Sequence, residues 1–130
     1  MKINVAFVCT GNSCRSQMAE GWARYLAGDI FEIYSAGTHP TSEVNPNAVV
    51  AMREAGVDIS GHYPKLLNDI PSEIDVLITM GCGVECPYLP NKYKEDWGLD
   101  DPVGKPIEEF RRVRDIIKEK VVELAKKQRL

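Results

Sequence analysis

Three short runs of apolar and β-branched residues, at 3–8, 31–34 and 75–80, alternate with stretches of helical spacing, and this alternation limits the fold more than any other feature. Each run has the length and residue types of a buried strand. From Ser16 the period turns helical: Met18, Trp22, Tyr25 and Leu26 share one face, and Gly28 ends it. Asn45-Pro46 is a helix start, an N-cap residue followed by Pro at the first helical position; Ala48, Val49 and Met52 form its apolar stripe and Gly56 closes it. Pro106 opens the last helix, with Ile107, Phe110, Val113, Ile117, Val121 and Leu124 along one face and Glu, Arg and Lys over the rest. Its basic end, Lys126-Lys127-Gln128-Arg129, complements the helix dipole. Between these elements the residue types predict a short helix around Leu66, irregular chain over 81–96 and a fourth strand over 98–102. Strands alternating with helices imply a parallel sheet with right-handed crossovers. The expected architecture is α/β: one three-layer domain over residues 1–130, with a four-stranded parallel sheet in the order 2-1-3-4 flanked by helices.

A chain of 130 residues, 44% hydrophobic and 27% charged, can bury a core without disulfide staples. Its net charge of -3 argues against nucleic-acid binding, which calls for a basic excess. No apolar run approaches the roughly 20 residues that span a bilayer. The N-terminus lacks the apolar segment and small-residue cleavage site of a secretory signal. A cytoplasmic location is expected, with no membrane or nucleic-acid partner. In that setting Cys9, Cys14, Cys82 and Cys86 point to metal binding or catalysis before structural disulfides. Zinc fits poorly. Neither cysteine gap is C-x2-C, although that from Cys82 to Cys86 falls inside the broader range, and His39 and His62 form no H-x3–5-H pair. No metal and no cofactor is expected, and His39 reads as a surface loop residue.

In parallel sheets ligands bind beyond the carboxyl ends of the strands, where the strand order reverses. With the order 2-1-3-4, strands one and three are neighbours. Read as ending at Cys9 and Cys82, they bring two cysteines to one rim. The segment after strand one is Cys9-Thr10-Gly11-Asn12-Ser13-Cys14-Arg15-Ser16. A bare Cys-x5-Arg occurs by chance in many chains; this one follows a buried strand, holds a Gly/Asn loop and runs straight into a helix. The loop's N–H groups can converge on one point, and the helix N-terminus adds partial positive charge there, which favours an oxyanion. Arg15 offers a planar fork for two oxygens. Cys9 lies at the bottom of the cradle, its thiolate favoured by the same N–H groups. A nucleophile below a tetrahedral oxyanion is a displacement geometry. Cys14 reads as a bystander thiol. The departing oxygen needs a proton. Asp100-Asp101-Pro102 is either its source or a simple turn, since Asp before Pro is common in turns.

The run from Cys9 continues as Gln17-Met18-Ala19-Glu20-Gly21, and it is joined by Tyr34-Ser35-Ala36-Gly37, Val44-Asn45-Pro46, Asp58-Ile59-Ser60-Gly61-His62 and Trp97-Gly98-Leu99-Asp100-Asp101-Pro102-Val103-Gly104-Lys105. On these residues nearly the whole chain resembles the low-molecular-weight protein tyrosine phosphatase family, and more closely its thioredoxin-coupled arsenate reductase branch. In the phosphatases Pro usually follows the Arg-Ser pair, and aromatic residues after Asp-Pro grip a phosphotyrosine ring. Here Gln17 and Val103-Gly104-Lys105 stand in those places, and Cys82 and Cys86 are additional.

The resemblance implies a three-cysteine relay. Cys9 attacks an arsenate held by the loop and Arg15, and Asp101 protonates the departing oxygen. Cys82 then attacks Cys9 and arsenite leaves. Cys86 attacks Cys82, leaving a Cys82–Cys86 disulfide for thioredoxin or a similar redoxin to reduce. Arsenic accepts electrons from thiols and phosphorus does not, and each later step is thiolate attack on sulfur. Asn12, Ser16, Ser35 and His62 match the network that holds the loop's shape, with Ser16 also bonding the Cys9 thiolate; for His62 the plain alternative is a half-buried histidine. Some reductases of the branch hold potassium with Asn, Glu, Ser and Asp. Asn12, Glu20 and Ser35 match, but Lys65 stands where the Asp is expected, and its ammonium can satisfy Glu20 in place of the cation. No potassium dependence is expected. Only Gly83-Val84-Glu85 separate Cys82 from Cys86, a shorter gap than the resemblance implies. A disulfide needs Cα atoms about 4.4–6.8 Å apart, which Gly81 and Gly83 allow. Two other functions fit the same loop: a phosphatase for phosphotyrosine or another small phosphomonoester, and an oxyanion-binding or redox-sensing module without turnover.

Overall fold

The computed structural model describes residues 2–81 and 90–129. Strands β1 (Ile3–Cys9), β2 (Phe31–Gly37), β3 (Val76–Thr79) and β4 (Tyr93–Asp96) form one parallel sheet in the order β2-β1-β3-β4, the order read from the sequence. Alternation along β1 sends Val5, Phe7 and Cys9 into the main core, while Ala6 and Val8 face the opposite side. On the first side α1 (Arg15–Ala27), α2 (Pro46–Glu54) and α3 (Ile107–Arg129) supply Met18, Trp22, Met52, Phe110 and Ile117 to that core. On the other side Ile70 and Ile74, with Leu67 of a short 3-10 turn (Leu67–Asp69), cover Ala6, Val8 and Leu77.

Most elements begin and end where their residues dictate. Asn45 caps α2 by accepting a hydrogen bond from the Asn47 amide, and Pro46 occupies the first helical position. Phe110, Val113, Ile117, Val121 and Leu124 of α3 are all buried. β2 continues past Tyr34 to Gly37 because its end pairs with β1, Ser35 opposite Phe7 and Gly37 opposite Cys9.

Two expectations are corrected. The fourth strand is Tyr93–Asp96 and not 98–102. Its residues, Tyr-Lys-Glu-Asp, are polar because both faces of this edge strand lie open to water: Tyr93, Lys94 and Asp96 are exposed and Glu95 is half-buried. At 98–102, by contrast, Gly98 has φ +56° and Pro102 offers no N–H, neither of which suits a strand. Tyr25, placed by spacing on the apolar face of α1, is 65% exposed and lies edge-on to Trp22 at 6.2 Å. Helical spacing identifies a face; it does not show where the covering elements stop.

α1 is buried on nearly every side from Arg15 to Ala23. Small residues make this possible. A Cβ at Gly21 would lie 2.7 Å from Ile59 Cγ2, so Gly21 lets the 57–59 segment close over the helix. The polar groups at the start of α1 are therefore held inside the molecule, between the ends of the strands.

Candidate active site

Cys9 is the last residue of β1 and Arg15 the first of α1, so the 10–14 loop joins the carboxyl end of a central strand to a helix N-terminus. Neighbouring backbone fixes the loop's shape. Thr10 O accepts from His39 N at 2.9 Å, Gly11 O from Thr41 N at 3.0 Å and Ser13 O from Asn45 N at 2.8 Å. Three carbonyls are thus drawn toward the 39–45 segment. In a trans peptide the N–H points opposite to the C=O. The amides of Gly11, Asn12 and Cys14 are therefore turned to the other side, and the Asn12 amide does reach Cys9 Sγ at 3.2 Å. Asn12 supports this turn with φ +49°, a left-handed conformation that Asn tolerates better than most residues. Gly37 lies against the loop so closely that a Cβ would sit 2.5 Å from Thr10 O.

Ser16 Oγ lies 2.9 Å from Cys9 Sγ. The same oxygen accepts a hydrogen bond from Asn12 Nδ2 at 2.8 Å, which leaves the Ser16 hydroxyl proton free to point at sulfur. Cys9 is buried beneath the loop, with two donors aimed at its sulfur, an arrangement suited to a thiolate. Cys14 is different. Burial, and secondarily the nearby Asp101 and Cys9, push its thiol well above the ordinary value, which disfavours its thiolate.

The Arg15 guanidinium is buried, and its Nη1 donates to Met80 O at 2.7 Å and Leu99 O at 2.9 Å. Nη2 faces Asp101 Oδ2 at 3.7 Å. Asp101 also accepts from Val103 N through Oδ1 at 3.1 Å, so the residue forms a turn and faces Arg15 at once. Asp100 points elsewhere, toward Arg112 Nη2 at 3.1 Å. Cys82 and Cys86 lie outside the described residues. The chain reaches that segment through Met80 and Gly81, beside Arg15.

Behind the loop is a polar network. Ser35 Oγ donates to Glu20 Oε1, and Glu20 Oε2 accepts from Arg24 Nε at 3.0 Å. Lys65 Nζ lies 3.8 Å from Glu20 Oε1 and donates to Tyr63 O at 2.9 Å. Burial draws the Lys65 ammonium below its ordinary value, with Glu20 opposing. Burial likewise draws His62 down, against Glu20. Its Nδ1 lies 3.1 Å from Gln17 Oε1 and 3.8 Å from Glu20 Oε2, so a neutral ring protonated at Nδ1 satisfies both. His39 is exposed and its ring bonds only its neighbour Thr38. Among the described residues, no three His, Cys, Asp or Glu side chains gather into a metal site.

Gln17 was not among the candidate residues, yet it is fully buried and central to the network. Its Nε2 donates to Asn12 O at 3.0 Å, Asn12 Oδ1 at 3.1 Å and Tyr63 O at 3.0 Å. Asn12 Oδ1 accepts in addition from Lys65 N at 2.8 Å. The available signal was a polar side chain in a helix whose neighbouring residues are apolar or site-bearing.

Comparison with known proteins follows the same lines. The family described as low molecular weight phosphotyrosine protein phosphatase matches residues 4–130. An arsenate reductase of Staphylococcus aureus (strain Newman) is 52% identical over 121 residues, covering 90% of this chain and 92% of that protein. A solved structure described as an arsenate reductase in the phosphate binding state is similar with a TM-score of 0.88 at 42% identity, over 98% of both chains. A thioredoxin-dependent arsenate reductase of Corynebacterium glutamicum is similar with a TM-score of 0.79 at 35% identity, over 97% of this chain and 61% of that one. The strand–loop–helix cradle, the matched length and these identities together place the chain in the low molecular weight phosphotyrosine protein phosphatase family.

Proposed function

We propose that this protein is an arsenate reductase in which Cys9 is the nucleophile and Cys82 and Cys86 complete a disulfide relay. The observation that carries the reading is the cradle itself: a buried cysteine sulfur that meets the Ser16 hydroxyl and the Asn12 amide, beneath outward-bonded carbonyls and beside Arg15. The arsenate reductases similar over nearly the whole chain support the choice of arsenate. The oxyanion is held by the amides of the loop, the N-terminus of α1 and the Nη2 side of Arg15.

In the first step the Cys9 thiolate attacks arsenic, an As–O bond breaks, and the oxygen leaves as water with a proton from Asp101. The Cys82 thiolate then attacks Cys9 Sγ. The electron pair of the S–As bond passes to arsenic, which departs as arsenite and leaves a Cys9–Cys82 disulfide. Attack by Cys86 on Cys82 frees Cys9 and leaves the Cys82–Cys86 disulfide. A redoxin dithiol, for which thioredoxin is the proposed donor, reduces that bond; the thioredoxin-dependent relative supports this partner. A reducing, cytoplasmic setting suits a chemistry that begins from free thiols. No described helix is long and apolar enough to cross a membrane.

Cys82→Ser tests the relay. Steady-state arsenate reduction is expected to fall by at least about 100-fold, because thiolate attack on Cys9 is removed. Hydrolysis of an aryl phosphate at Cys9 is expected to persist. Arsenate reduction at the wild-type rate in this variant would contradict the relay.

A further inference from the structure

Arg15 is useful only if its guanidinium is held at one angle to the cradle. Nη1 does this by donating to two carbonyls at once, Met80 O and Leu99 O, at 2.7 and 2.9 Å. These belong to separate backbone segments, one just past β3 and the other just past β4. Their spacing must therefore be set by something else.

The side chain that joins the two segments is Asp96. Its Oδ1 accepts from Thr79 Oγ1 at 2.9 Å, Gly81 N at 2.8 Å and, more weakly, Gly98 N at 3.3 Å. Thr79 and Gly81 flank Met80, and Gly98 precedes Leu99, so one oxygen grips the chain on both sides of the first carbonyl and immediately before the second. The approach is close. Gly81 has φ +90° and Gly98 φ +56°, and a Cβ at Gly81 would lie 3.1 Å from Gly98 Cα. Trp97 N donates to Thr79 O at 2.8 Å and closes the join.

We infer that Asp96 is a positioning residue for oxyanion binding: its Oδ1 aligns the Met80 and Leu99 carbonyls that aim Arg15. The inference rests on the proposed reading of Arg15 as an oxyanion ligand and is independent of the cysteine relay. It also assigns Asp96 a geometric role. A carboxylate acting through its charge would repel an anion, so its removal would tighten binding. Loss of an aligning oxygen weakens binding.

The test uses inorganic phosphate as the probe and reads its dissociation constant from protection of Cys9 against alkylation. Asp96→Ala removes the oxygen, Asp96→Glu keeps the charge but moves the oxygen by one methylene, and Asp96→Asn keeps an oxygen in place without the charge. Phosphate binding is expected to weaken about 10-fold in Asp96→Ala and Asp96→Glu, as misalignment of a clamp predicts. Asp96→Asn is expected to recover most of the loss. The alkylation rate without phosphate should stay near the wild-type value in all three, which a general loss of structure would not allow. With arsenate, KM should rise more than kcat falls. If Asp96→Ala fails to fold, the contrast between Glu and Asn still decides the point. Unchanged binding in the Ala or Glu variants, or an Asn variant as weak as Glu, overturns the inference. Arg15→Ala separates the role of Arg15 from that of Asp96: if it binds phosphate like the wild type, the oxyanion reading fails and this inference with it.

Discussion

Ser16 Oγ stands between the Asn12 carboxamide and the Cys9 sulfur, and Gln17 continues the line to Asn12 on one side and His62 on the other. One pH-dependent consequence follows at His62. Burial holds its imidazole below the ordinary value, so the unfolded chain takes up the proton first as pH falls. The contribution of the neutral, Gln17-bonded ring is present above the unfolded value, about 6.5, and is lost progressively as pH falls below it. Thermal melts between pH 7.5 and 5 should therefore show a steeper loss of Tm in the wild type than in His62→Gln; parallel curves would contradict this. The residues from Cys9 to Ser16 could be read from sequence because the strand, loop and helix that give them meaning are adjacent in the chain. Gln17 could not, since its partner Tyr63 O is 46 positions away and is a backbone atom that no residue type announces. The carbonyl partners of Arg15, 65 and 84 positions away, were hidden for the same reason.

Among the elements, the end of β2 does as much as α1 to shape the cradle. Gly37 pairs with Cys9 across the sheet, donates its amide to Lys65 O at 2.8 Å and packs on the loop. Its need for glycine comes from crowding alone: an added Cβ would meet Thr10 O at 2.5 Å and Asn12 N at 2.9 Å, backbone atoms that can move only by deforming the loop. Gly37→Ala is expected to cost about 1–3 kcal/mol in chemical denaturation, as overpacking does. Arsenate turnover should drop about 100-fold, since the displaced groups are those that hold the reactants. Near-normal turnover would mean that the loop adapts. The strands that bury both faces were legible from their apolar runs. β4 was not, because at the sheet edge its hydrogen bonds, which leave no mark in residue hydropathy, define it.

Across the whole molecule, the sheet order brings the end of β1, the start of α1 and the segments beyond β3 and β4 to one rim, so that residues as distant as Cys9, Arg15 and Asp101 share one site. The same arrangement buries Glu20 with cationic neighbours, Arg24 at 3.0 Å and Lys65 at 3.8 Å. Arg24 and Lys65 thus supply positive charge to Glu20 from within the chain, and no dependence on a bound cation is expected. Arsenate turnover should be unchanged within about 2-fold when potassium replaces sodium at fixed ionic strength; a large potassium activation would show that Lys65 does not fill that role. A redox relay begun at Cys9 can be followed by mixing the fully reduced protein with one equivalent of arsenate, without external reductant, and mapping its thiols after alkylation. Release of arsenite, loss of two thiols and a Cys82–Cys86 disulfide are expected of this relay. Survival of all four thiols while an aryl phosphate is hydrolysed would contradict it and make the protein a phosphatase.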